Sequence, residues 1–165
     1  MPRAAVLLAL ASALGAAVVV SSSGCGGAKP RTGTSRASAA PSYVARVNAV
    51  ERDFARAVKP LSATVTATTT AGRARVTLGR FAAAVRALVD RLRLINAPPA
   101  VASLHARLVT ELSRYERVLM RATRLVAAGG STAFGRGERA LMRATQTSAA
   151  GIDATIAAMN ARLHG

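Results

Sequence analysis

The apolar residues between positions 78 and 95 recur at alternating steps of three and four, and this spacing constrains the fold more than any other feature of the chain. An α-helix has about 3.6 residues per turn, so residues at these steps lie along one stripe of its surface. Such a stripe must be covered by other elements. It therefore predicts a helix that packs against neighbouring helices. Its members are Leu78, Phe81, Val85, Leu88, Leu92 and Ile95.

The segment before this stripe repeats the helical spacing. Ser42 follows Pro41 and is expected to cap the N-terminus of a first helix, which Pro60 is expected to end or kink. The threonine-rich residues 64–70 are typical of a frayed end and a loop, which should turn near residues 71–72. The apolar positions of this first helix are Tyr43, Val47, Val50, Phe54, Val58 and Leu61.

Two more segments with helical spacing follow the stripe. Either Pro98 or Pro99 can supply the first residue of a third helix, because proline is favoured there. The glycines at 129–130 should end this helix, and Ser131 or Thr132 can cap a fourth. The apolar positions are Val101, Leu104, Leu108, Leu112, Tyr115, Leu119, Ala122 and Val126 in the third helix, and Phe134, Leu141, Ile152, Ile156, Met159 and Leu163 in the fourth.

Four helices of similar length with short connections predict an all-α fold, an up-down-up-down four-helix bundle over residues 42–165. Counting from the turns places three aromatic residues at about the same height in this bundle. They would form either a core layer of large residues facing small ones, which is the commoner arrangement, or the wall of a ligand pocket. The predicted layer contains Phe54, Phe81 and Tyr115, facing Thr145 and Ser148 of the fourth helix.

The first residues of the chain have the order of an export signal. Arg3 supplies a positive charge, residues 4–20 carry no charge, and small residues follow. A run of seventeen apolar or small residues reaches about 26 Å as a helix, which is short for a permanent membrane span. We therefore expect residues 1–24 to be a signal peptide and the protein to be exported.

Cys25 is the one cysteine of the chain, and it lies where the apolar segment ends. The sequence Ser23-Gly24-Cys25 resembles the lipobox of bacterial lipoproteins, although Ser22 stands where leucine is usual. We expect Cys25 to be lipidated, the alternatives being an incidental cysteine or an uncleaved anchor. Residues 26–41 contain no large apolar side chain and predict a flexible linker that spans roughly 20–25 Å on average.

The chain lacks the residue patterns of the common catalytic sites. Its seven acidic residues are scattered, and no phosphate-binding loop or nucleophile motif occurs. His105 and His164 are far apart, and we expect His105 to be a capped or half-buried residue of the third helix. The interpretation is a protein that is not an enzyme and that holds no metal and no cofactor.

Basic residues are the remaining signal. The formal net charge is +16, which favours anionic partners such as acidic phospholipid, wall polymer or nucleic acid. An export signal would separate the chain from most nucleic acid, which argues against nucleic acid as the partner. The alternative is a solvated face in an arginine-rich protein. On one stripe of the third helix lie Arg107, Arg114, Arg117, Arg121 and Arg124, and on the first helix lie Arg52, Arg56 and Lys59.

As a whole, the chain resembles the small helical lipoproteins of high-GC actinobacteria. The resemblance rests on the Ser-Gly-Cys junction, the linker, the opening YVARVNAVERDFA and the turn INAPPAVASLHARLV. It implies a lipid-anchored helical protein on the outer side of the cell membrane, and it carries no activity. The sequence thus predicts a binding or structural module of the cell envelope; the alternative is an extracytoplasmic bundle that binds or senses a small molecule.

Overall fold

The computed structural model describes residues 39–62, 71–128 and 131–164. Within these ranges the chain is helical, without strands, and the predicted all-α class of four packed helices is confirmed. The signal peptide, Cys25, most of the linker and the threonine-rich loop lie outside the described residues. The helices are α1 (Ala39–Ser62), α2 (Ala71–Arg93), α3 (Ala102–Ala127) and α4 (Ser131–His164).

Each helix packs most closely against the next one along the chain. Gly137 near the start of α4 lies against Ala122 near the end of α3, whereas Gly151 lies against Glu111, so these two helices run in opposite directions. His105 at the start of α3 contacts the carbonyl oxygen of Leu92 at the end of α2. These contacts are consistent with the predicted up-down-up-down arrangement.

Two predicted helix boundaries are wrong, the start of the first helix and the start of the second. The first helix begins at Ala39, so Ser42 is not its N-cap and the last residues of the predicted linker are helical. Pro41 is tolerated in the first turn of α1, because the N–H groups of a helix's first turn have no partner within the helix. The second helix begins at Ala71, at the position where a turn was expected.

The connection between α2 and α3 also differs in detail. Pro98 and Pro99 precede the helix, and the N–H of Val101 donates to the carbonyl oxygen of Pro98 at 3.0 Å. Val101 is the N-cap of α3 and is fully buried. The prolines therefore form a turn that lets Val101 enter the core before the helix starts.

The core is aliphatic and is built from the predicted apolar stripes. The six members of the α2 stripe are all buried, as are most of the predicted apolar positions of α1, α3 and α4, whereas Val50, Leu104 and Leu163 are partly buried. Burying a leucine or valine side chain contributes about 1.5–3 kcal/mol, so the matched stripes are the main source of stability. Leu94, which lies one residue past the end of α2, is by contrast 81% exposed.

Candidate functional site

The five arginines predicted on one stripe of α3 are all exposed. Arg107 forms an ion pair with Glu111, with 2.9 Å between its Nε and the carboxylate oxygen. In the described part of the chain, no ion pair or hydrogen bond holds the other four side chains. The free arginines of α3 are Arg114, Arg117, Arg121 and Arg124.

The shorter basic row on α1 is exposed as well, but it is partly neutralised. Arg56 pairs with Asp53, and Asp53 also accepts a hydrogen bond from Arg91 of α2. The hydrogen bond from Arg56, and then that from Arg91, lower the pKa of the Asp53 carboxyl. Arg52 and Lys59 are exposed beside this cluster.

Further ion pairs neutralise part of the charge of α2. Its Arg86 reaches Glu116 of α3 at 2.8 Å, and its Arg93 reaches Asp90 at 3.2 Å. Together with Arg91, three arginines of α2 therefore have acidic partners. Within the described residues, ion pairs with acids thus hold three of the six arginines of α2, but only one of the five arginines on the α3 stripe.

The three aromatic residues of the predicted layer take part in two separate contacts, one between the phenylalanines and one between Tyr115 and α4. The rings of Phe54 and Phe81 meet edge to face, with 6.2 Å between their centroids and 64° between their planes. Tyr115 lies against Thr145 of α4, with 3.3 Å between the hydroxyl oxygens. Burial raises the pKa of Tyr115 well above its ordinary value. Among the described residues no ring contact joins Tyr115 to either phenylalanine, and Ser148 is half-buried.

A small cavity lies beside Phe54, where side chains of all four helices meet. Its volume is about 20 Å³, which has room for about one water molecule. The wall is apolar except for one carboxyl group, that of Glu51. The other lining residues are Val47, Phe54, Leu88, Leu92, Leu108, Leu112, Ile152 and Ile156.

Glu51 is a functional candidate that the sequence reasoning missed. It is half-buried, and burial raises the pKa of its carboxyl from 4.5 to about 7. The signal was present in the spacing, because Glu51 follows Val47 by four residues and precedes Phe54 by three. It therefore lies on the apolar stripe of α1 and faces the cavity.

A second missed feature is a polar link at one end of the bundle. The hydroxyl of Tyr43 lies 3.0 Å from Nδ1 of His105, and Nε2 of His105 lies 3.0 Å from the carbonyl oxygen of Leu92. A carbonyl can only accept, so Nε2 carries a proton, and in the tautomer with its proton on Nε2 alone Nδ1 accepts from the Tyr43 hydroxyl. Burial, and then the nearby Glu51 carboxyl, raise the pKa of Tyr43 to about 12. His105 is 7% exposed, so it is buried more deeply than the predicted half-buried residue.

No group of three or more metal-binding side chains occurs in residues 39–62, 71–128 and 131–164. No helix in these ranges is long and apolar enough to cross a membrane. In comparisons with protein-family models, curated proteins and solved structures, no match to the chain was found.

Proposed function

We propose that this protein is a lipid-anchored helical module of the cell envelope whose arginine-rich α3 face binds an anionic surface. The proposal combines the lipobox-like Cys25 with the free arginines of α3. It assigns no catalytic role. The anionic surface is acidic phospholipid or a wall polymer on the outer side of the cell membrane.

The proposal rests on one observation: most of the α3 arginines have no acidic partner within the described helices. Four exposed cations, from Arg114 to Arg124, have no acidic partner in the described part of the chain. They extend over about 15 Å of helix, at a rise of about 1.5 Å per residue. A cation near an anionic membrane contributes about 1 kcal/mol, so four together give a substantial affinity.

The cavity beside Phe54 gives the small-molecule alternative little support. The cavity beside Phe54 has room for about one water molecule. A bound metabolite would need several hundred Å³ of pocket. The outer surface of α3 therefore offers a better candidate site than this cavity.

The anchor is tested by fractionating cells that express the wild type or the Cys25→Ser variant. We expect the wild type in the membrane with an acylated N-terminal peptide, identified by mass spectrometry. The variant should be released or kept as an unprocessed precursor. Equal behaviour of both, with residues 1–24 retained, would show an uncleaved anchor.

The surface contact is tested by sedimenting residues 26–165 with acidic and with neutral vesicles. The test variant replaces Arg114, Arg117, Arg121 and Arg124 with Gln. Circular dichroism first establishes that both proteins are helical. We expect the wild type to prefer acidic vesicles, to lose binding at high salt, and to bind at least about tenfold more tightly than the variant.

A matched control removes the same charge elsewhere on the bundle. It replaces four exposed arginines of α1 and α2, Arg46, Arg52, Arg75 and Arg80, with Gln. We expect this control to keep most of the binding. If both variants lose binding equally, net charge rather than the α3 face is responsible, and binding that ignores salt or lipid charge would rule out the electrostatic contact.

A further inference from the structure

Like α3, α4 carries exposed arginines that no ion pair holds among the described residues. Arg136 and Arg143 are exposed, and no ion pair holds them in the described helices. The acids that neutralise the basic side chains of α1 and α2 are Asp53, Asp90 and Glu116. The positive charge that is free to meet a partner therefore lies mainly on the α3 and α4 side of the bundle.

The contacts between α3 and α4 place several of these arginines on one face. Arg114 comes three residues after Glu111, and Arg121 comes four residues before Leu125. Glu111 and Leu125 both lie against glycines of α4, so these arginines are next to the seam between the two helices.

A matching stripe runs along α4. Arg136, Arg143 and Thr147 recur at steps of seven and four, and Gly151 follows four residues later. Gly151 faces Glu111 of α3, so this stripe borders the same seam. Arg136, Arg143 and Thr147 are exposed, and together with Arg114 and Arg121 they form a surface of two antiparallel helices, called here the α3/α4 face.

We propose that the α3/α4 face lies flat against the membrane and that its arginines bind the phosphate groups of anionic phospholipids. This inference rests on the proposed function and adds to it the partner and the orientation of the bundle. Arginine suits phosphate because its planar guanidinium donates two parallel hydrogen bonds to such oxygens. The bundle then lies on its side, with α1 and α2 facing away from the lipid.

The dimensions of the chain allow this orientation. Helices of 26 and 34 residues are about 39 and 51 Å long, which gives an extended contact surface. The sequence between Cys25 and α1 is expected to span roughly 20 Å, which is close to the width of two helices. A lipid surface next to the anchor is therefore within reach of the whole face, and this proximity favours phospholipid over a more distant wall polymer.

The test uses the full chain reconstituted into vesicles through its own N-terminal segment, so that anchoring is constant. The chain contains no tryptophan, and single tryptophans can therefore report which side touches the membrane. Thr147→Trp places a reporter on the α3/α4 face. Ala87→Trp places a matched reporter on the exposed side of α2. The vesicles carry a spin-label quencher on the lipid headgroup.

In anionic vesicles we expect the Thr147→Trp fluorescence to be quenched and the Ala87→Trp fluorescence to remain that of a solvent-exposed indole. Neutral lipid or high salt should abolish the difference. Adding Arg136→Gln and Arg143→Gln should weaken the association of the face by roughly fivefold per arginine removed.

The outcomes separate the two proposals. Equal quenching of both reporters, or stronger quenching of Ala87→Trp, would overturn the orientation while leaving the anionic contact in place. Absence of quenching at both positions in anionic vesicles, together with no response to a soluble polyanion, would overturn the orientation and the surface contact of the proposed function together. A response of Thr147→Trp to a soluble polyanion, with none to vesicles, would overturn the phospholipid assignment alone.

Discussion

Replacing Glu51 with Gln should stabilise the bundle at neutral and alkaline pH, while having little effect in acid. Gln keeps the size of the side chain and removes its ability to ionise. The carboxyl faces a cavity whose other lining residues are apolar, and burial raises its pKa to about 7. In the unfolded chain the pKa returns to 4.5.

The sign follows from proton binding. Between pH 4.5 and 7 the folded protein holds the Glu51 proton while the unfolded chain has lost it, so stability falls as the pH rises. Full desolvation would make this loss about 3 kcal/mol, at about 1.36 kcal/mol per pKa unit. Because the carboxyl is only half-buried and solvent screens its charge, we expect about 1–2 kcal/mol.

The assay is urea unfolding followed by circular dichroism between pH 4 and pH 8, for the wild type and for Glu51→Gln. The difference between the two free energies of unfolding should grow across this range by the amount given above. Asp153→Asn, at an exposed position of α4, removes the same charge and should show no such growth. If the difference in free energy of unfolding between the wild type and Glu51→Gln stays constant with pH, the argument that Glu51 is desolvated is refuted.

Two further predictions concern single positions within the helices. Gly79→Ala should stabilise the protein by about 1 kcal/mol, because the new Cβ meets open space inside α2. Gly137→Ala should gain less, because its Cβ would lie 3.4 Å from both the Ala122 carbonyl oxygen and the Val126 side chain, at the near limit of van der Waals contact. Thermal unfolding compares the two variants. Equal stabilisation by both would contradict the close packing of α3 on α4. Tyr43→Phe should cost about 1–3 kcal/mol in urea unfolding, because it leaves Nδ1 of buried His105 without a donor. Tyr115→Phe should cost less, since the Thr145 hydroxyl still donates to the Leu141 carbonyl oxygen at 2.9 Å; the reverse order would disprove the Tyr43 to His105 link.

The sequence pattern predicted the helices and their buried faces because periodic spacing is a local property. The stripe from Leu78 to Ile95 needs no knowledge of its neighbours to be recognised, and all its members are buried. The ends of the helices were less predictable. Pro41 is compatible with both a linker and a first helical turn, so the start at Ala39 could not be inferred from residue type.

The contacts between helices could not be predicted in the same way. Tyr43 and His105 are 62 positions apart, and their hydrogen bond depends on the rotation and height of two helices. The pairing of Arg91 with Asp53 across the α1 and α2 interface has the same origin. Spacing along α3 showed that its arginines share a stripe, whereas the position of acids on other helices decides which cations remain free.

The polar link of Tyr43, His105 and Leu92 has a mechanical consequence. Tyr43 lies in the second turn of α1, close to the point where the preceding chain enters the bundle. A pulling force on that chain is therefore applied next to a side chain tied to α3, which is itself tied to the end of α2. The load passes into three helices at once, and the first turns of α1 are held against peeling away from the bundle.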